Sequence, residues 1–180
     1  YFAIPEVSSE RRMFIPIGFL PQTVVATNKL YTIGGAELHS FGIVTSTMHM
    51  AWTRAVCGRL ESRYQYSAGI VYNNFPWPKP TDAQRTAIEQ AAQGVLDARA
   101  KFPNSTLADL YDPLTMPPEL TAAHRKLDKA VDFVISGHTH RAYNCRIDGR
   151  LVTSGDKYGT IVTTIDMVLD PKTRDVASVS

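Results

Sequence analysis

The sequence predicts an α+β chain, and three observations carry that expectation. Short apolar runs broken by proline, glycine and asparagine fill the first 78 residues. Helical periodicity with a capping signal occupies residues 79–130. Extended runs with a hairpin signal follow in residues 131–180. At 180 residues, 44% of them hydrophobic, with a net charge of +2, the chain can bury a real core and lies outside the disordered class.

Taken in order, "MFIPIGFL", "TVVATN" and "LYTIGG" read as strands and turns. Val44, Met48, Ala51, Trp52, Ala55 and Val56 recur at three- and four-residue spacing, which predicts one amphipathic helix ended by Gly58. "YQYSAGIVYNNFPWPKP" returns to extended structure and closes in a proline cluster, where we place a boundary. Thr81 with Gln84 forms a capping box. Ile88, Ala91, Ala92, Val95 and Leu96 then make a buried stripe up to Pro103. Pro117 and Pro118 suit a helix first turn, followed by Leu120, Ala123, Leu127 and Val131 on one face. Beyond it "FVIS", "AYNCRI", the Asp148-Gly149 pair, "RLVTS" and "GTIVTTIDMVL" are all strand and turn. The expected domains are therefore 1–78, 79–130 and 131–180.

Charge sits unevenly. Residues 1–78 carry six Lys/Arg against four Asp/Glu, whereas the other two regions balance at seven against seven and six against six. Arg59, Arg63, Tyr64 and Tyr66 with Ser62 and Ser67 crowd one segment, and Ser8, Ser9, Arg11 and Arg12 form a second cluster. Both mix cations for phosphate with planar or hydroxyl groups for base edges and sugar. The competing reading is an ordinary solvated surface, since an excess of two cations is small for a stand-alone DNA binder. Arg85, Arg99 and Lys101 interleave with Glu89 and Asp97 and read as a solvated helix face. His49 reads as a core or interface residue and His124 as solvent-exposed. Cys57 and Cys145 are far apart and read as reduced packing residues. No run is long and apolar enough for a membrane helix, and the start resembles no signal peptide, so a cytoplasmic protein without a membrane partner is expected. The chain opens at Tyr1 inside an apparent β segment, which suggests a piece of something longer.

Gly137, His138 and His140 follow an apolar run, and residues two apart in an extended strand share a face. "FVISGHTHRAYN" and "GRLVTSGDKYGTIVTTIDMVLD" resemble the closing part of calcineurin-like metallophosphatases of the 5'-nucleotidase branch, over residues 132–176. That resemblance implies C-terminal β-hairpin strands from a metallophosphatase-like sandwich. It also implies His138 and His140 as ligands to two divalent metals such as Mn or Zn, a metal-dependent phosphoesterase as the alternative function. The family's other ligands, an Asp-x-His, a Gly-Asp pair and an Asn-His group, are absent from residues 1–130.

"AIPEVSSERRMFIPIGFL", "GRLESRYQYSAGIVYNNFPWP" and "LDARAKFPNSTLADLYDPLTMPPEL" resemble the target-recognition and C-terminal helical domains of MmeI-like (type IIG/IIL) bacterial DNA methyltransferase and restriction enzymes. The likeness runs from Tyr1 to about Asp128. It implies double-stranded DNA as partner and a missing upstream methyltransferase domain that binds S-adenosylmethionine. This chain shows neither the Gly-rich cofactor loop nor the Asn-Pro-Pro-Tyr motif of that domain, so no catalytic residue is assigned and no cofactor is expected on the chain itself. Together the two resemblances predict a chimera with its crossover within "HRKLDKAVDFV", residues 124–134, in which the DNA-recognition part leads.

Overall fold

A computed structural model describes residues 1–35 and 37–130, the strand segments 134–135, 142–147, 150–155, 167–169 and 176–179, and Lys172. It divides into two units, Tyr1–Ala130 and Val131–Ser180.

The first unit begins with β1 (Phe2–Pro5) and β2 (Val7–Ser8), consecutive strands that enter different sheets. β3 (Gly18–Phe19) and β4 (Leu30–Ile33) flank β1, both antiparallel to it. The run "TVVATN" between them is an exposed loop rather than the expected strand. Its Val25 is 91% exposed, and with no partner strand to bond its backbone the β-branched residues alone do not make one.

The expected single helix is two: α1 (Leu38–Thr45) and α2 (Thr47–Val56). Ser46 causes the break, because its Oγ donates to the Ile43 carbonyl and accepts from the His49 N–H, ending one helix and capping the next. The Asp128 carboxylate accepts from the Thr47 N–H at 2.8 Å, a second and long-range cap on α2. β5 (Gly58–Leu60) and β6 (Arg63–Gln65) form a tight hairpin, and β6 also pairs with β2. Glu61 at its tip has φ 58°, the left-handed region that two-residue hairpin turns require.

The expected extended stretch after β6 instead contains a π-helical turn, Ala68–Tyr72. Local side chains occupy its carbonyls: the Trp52 indole donates to Val71 O, and the Asn74 amide to Gly69 O and Ile70 O. α3 (Asp82–Ala100) starts at the Thr81–Gln84 capping box that the sequence shows. The short α4 (Leu107–Leu110) and α5 (Pro118–Asp128) follow. Leu120, Ala123 and Leu127 of α5 and Ile88, Ala92 and Val95 of α3 are buried as their spacing predicts; Val131 lies outside the described residues. α3 packs against both α1 and α5, so strands from the first 78 residues and helices from the next 52 share one core.

In the second unit β7 (Val134–Ile135) runs parallel to β9 (Arg150–Gly155), which pairs antiparallel with β8 (Ala142–Ile147). The register places Ile147 opposite Arg150, as the Asp148-Gly149 signal predicts. β10 (Met167–Leu169) and β11 (Val176–Val179) make a separate antiparallel pair. The described architecture is thus mixed α and β with small, mainly antiparallel sheets.

Candidate nucleic-acid interface

Two segments far apart in sequence meet beside one open groove of about 390 Å³. The loop after β2 supplies Ser9, Glu10, Arg11 and Arg12, and the β5–β6 hairpin tip supplies Glu61, Ser62 and Arg63. Asp112 and Pro113, from the turn after α4, form a third wall. β2 and β6 pair directly, Ser8 opposite Tyr64, and this register brings the two arginine clusters together.

Of the ten candidates from sequence, Ser9, Arg11, Arg12, Ser62 and Arg63 line the groove, whereas Tyr66 is buried in the core. Arg63 is paired with Glu61 at 2.9 Å on the exposed tip, and Arg12 donates to the Ala108 carbonyl at 3.3 Å. Arg59 lies on the adjacent strand with its guanidinium 4.3 Å from the Tyr64 ring centroid, and it donates to the Ser62 carbonyl at 3.1 Å. It therefore braces the tip from behind. Ser8 and Tyr64 are 3% and 5% exposed, so the strand pairing turns both inward. The Tyr64 hydroxyl donates to Glu10 O and accepts from Arg54 Nε, each at 3.3 Å. Ser67 is partly buried at the start of the π-helical turn.

The residues that sequence reading missed are Glu10, Arg54, Glu61, Asp112 and Pro113. Arg54 ties Tyr64 to the Met13 carbonyl, at 3.3 Å each. The Asp112-Pro113 dipeptide is a turn signal, but nothing local to it announces a groove whose other residues are about fifty and a hundred positions away.

His138 and His140 lie outside the described residues. Among the described residues no cluster of three or more His, Cys, Asp or Glu side chains is placed to hold a metal ion, and no helix is long and apolar enough to cross a membrane.

Comparison with known proteins gives matches along most of the chain. Residues 1–79 match the family described as MmeI, target recognition domain, and residues 80–157 the family described as MmeI, C-terminal domain. DNA methyltransferase A of Bacillus subtilis (strain 168) is 46% identical over 129 residues, which is 72% of this chain and 15% of that protein. Endonuclease YhcR of the same organism is 27% identical over 55 residues, 31% of this chain and 4% of that protein. The solved type IIL restriction-modification enzyme MmeI, in complex with DNA, aligns with a TM-score of 0.71 and 58% identity over 73% of this chain and 18% of that one. The chain thus spans less than a fifth of the MmeI chain and of the methyltransferase.

The metallophosphatase part of the expected chimera gains no support. The MmeI C-terminal match runs through the crossover expected within residues 124–134 and over His138 and His140, as far as residue 157. Two imidazoles one residue apart are too short a pattern to fix a two-metal site without carboxylates to bridge it. Across residues 1–157 the chain matches an MmeI target recognition domain followed by an MmeI C-terminal domain, and it resembles the target-recognition region of an MmeI-like DNA methyltransferase.

Proposed function

We propose that this chain is the part of an MmeI-like enzyme that reads double-stranded DNA, with the groove between the Ser9–Arg12 loop and the β5–β6 hairpin as its contact surface. The observation that carries this reading is the convergence of Arg11, Arg12 and Arg63 with the Ser62 hydroxyl on one open groove. Guanidinium forks suit both phosphate oxygens and the acceptor edge of guanine, and a hydroxyl can donate or accept at base or sugar. Glu10, Glu61 and Asp112 in the same groove hold its charge near balance. Carboxylates there accept from cytosine amino groups and repel misplaced phosphate, which favours selective over indiscriminate binding. The solved MmeI complex with DNA supports the partner class. Methyl transfer and S-adenosylmethionine binding then belong to a domain elsewhere in the enzyme.

The test is duplex binding by fluorescence anisotropy across a salt series. Arg11→Ala and Arg63→Ala should each weaken binding and reduce the slope of log affinity against log salt by about one, because each lost phosphate contact releases one fewer counterion. Lys101→Ala, at the residue that caps the end of α3 and outside the groove, should leave the slope unchanged. Equal slopes for all three variants and the parent chain would remove the groove from the reading.

A further inference from the structure

The loop that carries Arg11 and Arg12 is long, running from Ser9 to the start of β3 at Gly18, yet it is held from several sides. Arg54 of α2 donates to Met13 O at 3.3 Å and Arg12 to Ala108 O at 3.3 Å. The strongest anchor is buried. Arg99 of α3 is 9% exposed; its Nη1 donates to Ile17 O at 2.7 Å, and its Nε donates to the Tyr111 hydroxyl at 2.9 Å. Arginine only donates, so the Tyr111 O–H is left to donate to His124 Nε2, 2.7 Å away. The His124 proton then sits on Nδ1. His124 in turn stacks on Phe14 of the same loop, ring centroids 3.9 Å apart and planes 17° from parallel. The chain of contacts therefore leaves the loop at Ile17 and returns to it at Phe14.

A buried guanidinium whose partners are a hydroxyl and a carbonyl is a costly way to fill a core, since hydrophobic side chains of similar volume would pack there without desolvating a charge. What it provides is direction. A bond from Arg99 to a backbone carbonyl fixes the loop's path, which apolar packing alone does not.

We propose that Arg99, Tyr111 and His124 form a buried positioning relay through which the helical segment sets the place of the Ser9–Ile17 loop, and with it Arg11 and Arg12, in the groove. The three are positioning residues. They act on the partner through the loop, and the consequence for DNA rests on the reading proposed above.

Tyr111→Phe tests this in the 180-residue chain, because it keeps the ring and removes only the hydroxyl that joins Arg99 to His124. The loop holds two trypsin sites, Arg11 and Arg12. Tryptic cleavage there should be about tenfold faster in Tyr111→Phe, the effect of losing about one buried hydrogen bond from the closed state. Duplex affinity should fall with a smaller salt slope at a temperature where circular dichroism shows the variant folded. Val71→Ala, a buried truncation in the π-helical turn, serves as a destabilised control and should leave cleavage at Arg11 and Arg12 and the salt slope unchanged. Loop cleavage in Tyr111→Phe equal to that of the parent chain, or matched by Val71→Ala, would overturn the relay. If neither the parent nor Tyr111→Phe binds duplex while the loop is still freed selectively, the relay stands and the DNA reading falls.

Discussion

At the scale of single residues, the histidines and Arg99 show how burial reverses what a side chain's type suggests. His49 and His124 are almost fully enclosed. Burial pushes the His49 imidazole down to about 4; burial first, then the Arg99 charge, pushes that of His124 down to about 3. Both are neutral in the fold, His49 sharing a 2.9 Å hydrogen bond with the Tyr66 hydroxyl. The sign of the pH effect follows. The unfolded chain takes up protons below the ordinary value of 6.5 that the folded chain refuses, so this stability is present above pH 6.5 and drains away as pH falls toward 4 for His49 and 3 for His124. Each histidine removes up to about 1.4 kcal/mol per pH unit in its window. Urea midpoints should fall between about pH 7 and about pH 5, and the fall should be shallower in His124→Asn. An identical pH slope in that variant would remove His124 from the acid sensitivity. The sequence reads His49 as a core residue, and it is. It reads His124 as exposed and Arg99 as solvated, and both are buried, because Phe14 and Ile17 from a distant loop cover the helix faces that local pattern marks as polar.

At the scale of elements, two glycines on neighbouring helices separate propensity from packing. In a helix interior, alanine is favoured over glycine by about 1 kcal/mol. Gly94 of α3 has nothing within 4 Å of where a Cβ would stand, beside a groove between α3 and α5. Gly94→Ala should therefore raise stability by about 0.5–1 kcal/mol. Gly42 of α1 is the opposite case. A Cβ there would lie 2.8 Å from Ile88 Cγ2, 3.2 Å from Ala92 Cβ and 3.4 Å from Leu127 Cδ1. Ile88 can turn, but an alanine Cβ on a packed helix cannot withdraw without moving backbone. Overpacking at about 1–3 kcal/mol outweighs the propensity gain, so Gly42→Ala should lower stability. Thermal melts of the two variants shifting in the same direction would refute this account of the α1–α3 contact. The cap and the apolar stripe of α3 were legible, since both lie within a short span of neighbours, whereas its buried Arg99 was not. The break at Ser46 was not: the apolar spacing runs on across it, and only the side-chain bonds to Ile43 and His49 decide against continuity.

At the scale of the whole molecule, the first unit closes on itself. Its core joins β1 residues Phe2 and Ile4 to Leu120 and Leu127 of α5, and the Asp128 cap on α2 comes from its last helix. A chain cut after Ala130 should thus keep one cooperative urea transition with the midpoint of that unit in the full chain. Non-coincident fluorescence and circular dichroism transitions in the cut chain would count against a self-sufficient unit. The sequence by itself determined the mixed α and β class, helices α3 and α5 with their apolar stripes, the hairpin register around Asp148-Gly149, and the resemblance of residues 1–128 to MmeI-like enzymes. Those properties depend on near neighbours, whose spacing is written along the chain. Only the tertiary structure decided which arginines share a groove and which are buried, that Ser8 and Tyr64 face inward, and that the Asp112 turn forms a wall of the site. Such outcomes depend on which segment covers which. Pairing of β2 with β6 joins residues more than fifty positions apart, and the Arg99 bond to Ile17 joins residues 82 apart; no local period records contacts of that range.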